Sequence, residues 1–294
     1  MKQSKSVLQF TNLYLAFTEA TETEDKETLN MIKALISEYQ PDLCIFTGNQ
    51  IYANDKEKGL AHYQLFLEFM NQFDIKIATT FGNRDAVDGD MKSELRQMEA
   101  EISQNYVKRA YRKVVNHKEA YVIEVKKQGK LLHQLYMIDN GTDGVIEQAH
   151  ITWLQDVQNK TLDQYGYVPK HNLLFTHHPI IEQVKSKGDM YHNSSEHSIV
   201  NSNQLFSLVK DLDNIDGVFC GHSYDDDFST SYQGIDLNYG RTSGFSLYSN
   251  LAPGARLIEL NEGETYTHRI VESIDDSADE SLSEAQLIEE IYNL

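Results

Sequence analysis

Leu43-Cys44-Ile45-Phe46-Thr47-Gly48-Asn49-Gln50 is an apolar run that ends in a Gly-Asn turn, and its surroundings decide the fold class. On one side, Glu24–Tyr39 places Leu29, Ile32, Ile36 and Tyr39 at helical spacing; on the other, Lys56–Phe73 does so with Leu60, Tyr63, Leu67 and Met70. Beyond these lie further apolar runs, Val7–Phe10 and Ile75–Thr80. With Asp42–Thr47 as the central strand, the order β-α-β-α-β predicts an α/β fold with a partly parallel sheet. Further on, Lys113–Val115, Ala120–Val125 and Gln134–Asp139 read as successive strands with a turn at Gln128-Gly129, so antiparallel neighbours are expected there. A helix over Ile151–Tyr165, a strand over Leu173–Thr176, a helix over Ser202–Leu212 and a strand over Gly217–Cys220 follow. Short strands with no helical periodicity fill the stretch from Phe228 to Ile270.

The 294 residues carry 26 Lys and Arg against 45 Asp and Glu, a formal charge of −19. A nucleic-acid backbone or an anionic membrane surface selects clustered positive charge, so neither is an expected partner. A small phosphorylated ligand needs only a local group of donors and stays open. The two cysteines, Cys44 and Cys220, sit in apolar runs and read as buried hydrophobes rather than a disulfide. The N-terminal stretch carries no apolar run fit for a signal peptide, and no run approaches the length of a membrane span. The expected location is the cytoplasm. Residues 272–294 hold eight acidic residues and no basic one, and are set apart from residues 1–271 as an acidic C-terminal tail. Leu282, Ala285, Leu287, Ile288 and Ile291 would give that tail one apolar helical face.

Ligands of open α/β sheets bind beyond the carboxyl ends of the strands. Those ends read Thr11-Asn12-Leu13-Tyr14, Thr47-Gly48-Asn49-Gln50, Phe81-Gly82-Asn83-Arg84-Asp85, Thr176-His177-His178-Pro179 and Gly221-His222-Ser223-Tyr224. Five ends in register that each deliver Asn, His, Tyr or Arg point to one shared cleft. His178 is expected to face away from His177 if the segment stays extended. Asp225, Asp226 and Asp227 read as a solvated acidic loop, with a replacement carboxylate as the alternative. His192 and His197 fit no ligand spacing.

In order and spacing these five ends resemble the motifs of the calcineurin-like metallophosphoesterases, in particular the small branch related to purple acid phosphatases. Leu8-Gln9-Phe10-Thr11, Thr80-Phe81-Gly82-Asn83, Gly221-His222, Asp227-Phe228, Gly234-Ile235 and Gly254-Ala255-Arg256-Leu257-Ile258-Glu259-Leu260 support the likeness. The resemblance implies a four-layer α/β/β/α sandwich of two mixed sheets and a pair of divalent metals that hydrolyse phosphate esters. It also implies roles position by position. Asn12 and Tyr14 stand where the family has ligating Asp and His, Asn49 where it has the bridging Asp, and Tyr224 where it has a second His. Asn83, His177 and His222 are retained ligand positions, Arg84 replaces the catalytic His, and Asp85 is kept beside it. The implied protein is a pseudophosphatase with a residual anion-binding cleft and no resident metal, whose partner is a phosphate-containing small molecule or a protein. The alternative is a weakly active phosphoesterase with one divalent metal (Mn, Fe, Zn or Mg) on Asn83, His177 and His222.

Overall fold

A computed structural model of the chain describes residues 4–186, 202–247, 249–263 and 265–272. The acidic tail beyond residue 272 and His192 and His197 lie outside the described residues. Strand β1 (Ser4–Phe10) leads through helix α1 (Glu22–Tyr39) to β2 (Leu43–Thr47), then through α2 (Lys56–Met70) to β3 (Lys76–Thr80). Helix α3 (Gly89–Ile102) precedes β4 (Ala110–Val115), β5 (Lys118–Lys127) and β6 (Lys130–Ile138). Next come α4 (Gln148–Tyr165), β7 (Asn172–Phe175), the short α5 (Ile181–Lys185), α6 (Ser202–Leu212) and β8 (Ile215–Cys220). The last strands are β9 (Ser229–Tyr232), β10 (Ile235–Tyr239), β11 (Ala255–Asn261) and β12 (Thr267–Val271).

The strands form two mixed sheets, β12-β11-β1-β2-β3 and β4-β5-β6-β7-β8-β10-β9. β1, β2 and β3 run parallel, as do β6, β7, β8 and β10. β4–β6 pair antiparallel, as the turn at Gln128-Gly129 predicts. The period of two along each strand sorts side chains between layers. Val7, Leu43, Ile45, Leu135, Phe175 and Phe219 meet in a core between the sheets. Their neighbours Leu8, Cys44 and Phe46 face α1 and α2 in a second core, and Tyr136, Leu174 and Val218 face α4 and α6 in a third. Two sheets with both outer faces covered by helices make the four-layer sandwich. Cys44 and Cys220 are buried and not joined by a disulfide. No helix among the described residues is long and apolar enough to cross a membrane.

The reading of the sequence leaves α3 unassigned, although Asp88 caps it by accepting from the Met91 N–H at 2.7 Å and Met91, Leu95, Met98 and Ile102 fall on one stripe. The omission matters because α3 carries Lys92. That ammonium is buried and bonds both carboxylate oxygens of buried Asp139 at 3.0 and 3.2 Å, with Arg96 at 3.9 Å. Removing one member of such a pair strands a charge. Lys92→Met is therefore expected to destabilise the fold by about 3–5 kcal/mol, read by urea denaturation. A loss below ~1 kcal/mol would show that the pair does not hold α3 to the second sheet.

Candidate functional site

The parallel arrangement brings the carboxyl ends of β1, β2, β3, β7 and β8 to one rim, where the backbone stitches the loops together. Asn12 and Tyr14 N–H groups donate to the Gly48 and Asn49 carbonyls at 3.1 and 3.0 Å, and the Gly221 N–H donates to His177 O at 2.9 Å. Gly48 has φ +90°, and a Cβ there would collide with the His177 ring. Gly82 lies so close to Asn49 that a Cβ would overlap its side-chain oxygen. Asn12, Tyr14, Asn49 and His222 all have positive φ, between 54° and 68°. Asn and His enter this region more readily than other side chains, whereas for Tyr14 it stores strain of the kind that collects at functional sites.

At the centre of the rim is the fully buried Asn49. Its Oδ1 accepts from the Arg84 backbone N–H at 2.9 Å, which fixes the amide's orientation, since a backbone N–H only donates. The amide nitrogen therefore points the other way, toward Asn12 Oδ1, Asn83 Oδ1 and the Tyr14 hydroxyl, each at 3.1 Å. Asn12 is fixed by the same logic, because its Nδ2 donates to the Ser223 carbonyl at 3.1 Å. Residues from the loops after β1 and β3 thus converge on an NH2 group carried by the loop after β2. Tyr14, a partly buried phenol, is pushed up in pKa by burial, opposed by the Arg84 charge.

The histidines form a second group. His177 Nδ1 lies 2.8 Å from the Thr47 carbonyl, an acceptor, so Nδ1 carries the hydrogen and Nε2 the lone pair; Asn83 Oδ1 is 3.2 Å from that nitrogen. His178 departs from expectation. Strand β7 ends at Phe175 and the chain bends through His177-His178, so strand alternation lapses and both rings turn inward. The His178 ring centroid lies 4.9 Å from that of His177 and 4.2 Å from that of His222. Desolvation holds His177 and His178 well below the ordinary histidine pKa, and lowers His222 to about 4 with help from the Arg84 charge. All three are neutral imidazoles at pH 7.

The remaining candidates are placed as follows. Asp85 is fully buried; its carboxylate accepts from the Gly82, Asn49 and Ile51 N–H groups at 2.6, 2.7 and 3.1 Å, and burial raises its pKa to about 6 against those bonds. It braces the loops after β2 and β3. Arg84 is exposed, with its guanidinium 5.9 Å from the Tyr52 ring, and Tyr52 stacks on Tyr14 at 6.3 Å. Tyr224 is 45% exposed on the same rim. The acidic loop is not simply solvated. Asp227 holds the guanidinium of buried Arg241 at 2.6 and 2.8 Å, Asp226 accepts from Ser223 and Asp225 from the Asn250 N–H. Tyr52 comes from the same loop as Asn49, whereas Lys92 reaches this region from α3 only through tertiary packing, and no local spacing in the sequence signals it.

The sequence pattern of the calcineurin-like phosphoesterases matches residues 22–226, and the chain belongs to that family. Among curated proteins, it is 24% identical over 271 residues to a probable inactive purple acid phosphatase of Arabidopsis thaliana, covering 82% of this chain and 68% of the relative. Among solved structures, a dimetal phosphatase from Danio rerio superposes with a TM-score of 0.60 at 7% identity, over 92% of this chain and 96% of the other. GAP50, described as the anchor in the inner membrane complex of Plasmodium, superposes at 0.58 with 13% identity, over 93% and 86% of the two chains. These structural likenesses share the two-sheet architecture described above.

Two stability measurements test this geometry. Asn49→Asp would turn a carboxylate oxygen toward the oxygens that now accept from the amide. It is expected to cost about 1–3 kcal/mol at pH 7. Crowded by those oxygens, the new carboxyl would bind its proton more tightly when folded, so the deficit should shrink as pH falls toward its unfolded pKa and reappear as pH rises. A pH-independent deficit would sink that account. For His222 the sign is opposite. The unfolded ring protonates near pH 6.5 while the folded ring resists to about pH 4, so acidification draws protons to the unfolded chain and stability falls through that window. Wild type should lose about 3 kcal/mol more than His222→Gln between pH 6.5 and 4. Asp85 acts in the other direction but equally in both proteins, so it cancels from the comparison. Parallel stability curves would contradict the burial of His222.

Proposed function

We propose that this chain is a non-hydrolytic member of its family, a pseudophosphatase whose strand-end cleft binds a small phosphate-class anion. The observation that carries the reading is the Asn49 amide. A pair of hard dications needs negative oxygens between them to offset their charge and to hold a nucleophilic water. At this rim the central group is an NH2 with no available lone pair, and the oxygens around it already accept its hydrogens. Asp85 spends its carboxylate on three backbone N–H groups, and Arg84 adds a permanent positive charge. These residues do not fit the family's metal pair, and no hydrolytic step is derived through it. The name of the Arabidopsis thaliana relative, a probable inactive phosphatase, points the same way.

Anion binding rests on Arg84. In a chain of net charge −19 its guanidinium is exposed and makes no ion pair with a carboxylate among the described residues. It lies beside the hydroxyl-bearing rings of Tyr14 and Tyr52. A guanidinium offers paired N–H donors that match phosphate oxygens. The acidic surface supports a small ligand over a nucleic acid or a membrane, and the buried, unbridged pair Cys44 and Cys220 is compatible with a reducing cytoplasm. The competing reading is a weak phosphoesterase with one metal on Asn83, His177 and His222.

The 294-residue chain is expected to leave p-nitrophenyl phosphate and bis-p-nitrophenyl phosphate at the buffer rate in the presence of Mg²⁺, Mn²⁺ or Zn²⁺. In calorimetric titration with inorganic phosphate, Arg84→Ala should weaken binding by about tenfold or more, the scale of one charge-assisted hydrogen bond, with an unchanged melting temperature. Turnover abolished by His177→Ala or His222→Ala would establish the competing reading instead. Phosphate affinity unaltered by Arg84→Ala would remove the anion cleft.

A further inference from the structure

At the opposite end of the sandwich from the rim, residues of both sheets line a second cleft of about 580 Å³, within the range of about 300–1,000 Å³ typical of small-molecule sites. It lies where the parallel strands begin: Val7 pairs with Leu43 and Leu43 with Lys76, while Lys5 faces Leu260 across β1 and β11. Its wall is aliphatic. Val7, Leu43, Val107, Ile123 and Leu260 belong to the core between the sheets, and partly buried Val125 extends that surface. Four lysines also line the cleft, in a chain of net charge −19. Lys5 is paired with Asp42 at 2.5 Å and Lys126 with Glu124 at 2.8 Å, and both carboxylates belong to the same cleft. Lys76 and Lys108 are exposed and make no ion pair among the described residues. Two ammonium charges are therefore in excess beside an aliphatic wall.

We propose that this cleft binds a free alkyl carboxylate, with its chain against the aliphatic wall and its head group at Lys76 and Lys108. The site is remote from the strand-end rim and independent of the phosphate reading there. The combination of wall and charge selects an amphiphile. A hydrophilic anion would use the lysines but leave the aliphatic wall in water, and a neutral lipid would fill the cleft but leave both ammonium groups without a counter-charge. Tyr106, the aromatic lining residue, has its ring under the Arg109 guanidinium at 4.3 Å and its hydroxyl 2.8 Å from Thr79 Oγ1, so the lining favours a saturated body over a stacked base. Lysine carries a compact charge on a flexible stem, which can follow a carboxylate while its methylenes cover the alkyl chain. Other occupants fit less well. The acidic tail leaves β12 at the far end of the sheet: Val271 pairs with Ala255, about 17 Å along β11 from Leu260, and Glu272 is held by Arg241 beside the rim. A second copy of the chain would bring a further charge of −19 and repel.

The test is calorimetric titration of the 294-residue chain with octanoate, decanoate and laurate, each below its micellar concentration. One equivalent is expected to bind, with affinity rising by about fourfold for each methylene the cleft buries. Lys76→Ala combined with Lys108→Ala should weaken laurate by about tenfold or more, the scale of one charge-assisted hydrogen bond. Val125→Asp should weaken it as well, while Lys58→Ala, on the exposed first turn of α2, leaves it unchanged. Decanol should bind about tenfold or more weakly than decanoate. Circular dichroism and melting confirm that each variant is folded; the lysine variant alters only exposed side chains and decides the matter if Val125→Asp does not fold. Absence of binding, equal affinity for decanoate and decanol, or a folded lysine variant that binds as wild type does, overturns the proposal. Displacement of laurate by a peptide of residues 273–294 would give the cleft to the tail, and a dimer that laurate dissociates would give it to a second copy; either overturns it. So does binding to phosphatidylglycerol vesicles that the lysine variant loses, which would assign the charges to a membrane surface. Inorganic phosphate should not displace laurate; displacement would move the carboxylate to Arg84 and overturn the assignment. Failure here leaves phosphate binding at Arg84 untouched, and failure there leaves this cleft untouched.

Discussion

The Asn49 side chain governs the organisation of the rim. One carboxamide accepts from the loop after β3 and donates to residues after β1 and β3, and its backbone N–H is held by Asp85. An amide is neutral and presents a donor and an acceptor on opposite sides. A carboxylate of the same shape would present two acceptors and a charge to Asn12, Asn83 and Tyr14, and would need a cation between them. The identity of this one group separates a rim that closes on its own hydrogen bonds from one that requires metal. Asn12 follows the same pattern, with an amide hydrogen on Ser223 and an amide oxygen toward Asn49.

Around this neutral hub the charges are segregated. Lys92 is neutralised by Asp139 below the rim, Arg241 by Asp227 and Glu272 beside it, and Arg84 stays exposed above it. Between these cations three histidines are kept neutral by burial. The rim therefore combines an outward-facing guanidinium suited to an anion with an inward-facing set of nitrogen lone pairs. The same loop bend that ends β7 at Phe175 supplies two of the three imidazoles.

Much of this was legible in the residues alone. The β-α-β-α-β start, the antiparallel middle and all five strand ends follow from apolar runs and turns, because period and punctuation are local properties. Family membership followed from the same strand ends. Helix α3 is not legible there although its cap at Asp88 and its stripe are present, since its charged residues Lys92, Glu94 and Arg96 mask a periodicity that packing against α2 makes plain. The inward turn of His178 was not legible. Strand alternation sends neighbouring side chains to opposite faces, and only the bend after β7 cancels that rule.

The sequence by itself determined which residue types reach the rim: amides at 12, 49 and 83, a guanidinium at 84, and imidazoles at 177 and 222. It did so because each follows directly from the end of an apolar strand. Only the tertiary structure decided how those groups face one another. The direction in which the Asn49 amide is turned depends on a backbone N–H 35 residues away, the engagement of Asp85 depends on three N–H groups from two loops, and the Asp227–Arg241 pair depends on how β10 returns. Hydrogen-bond direction is a property of partners brought together from distant parts of the chain, and no local spacing encodes it.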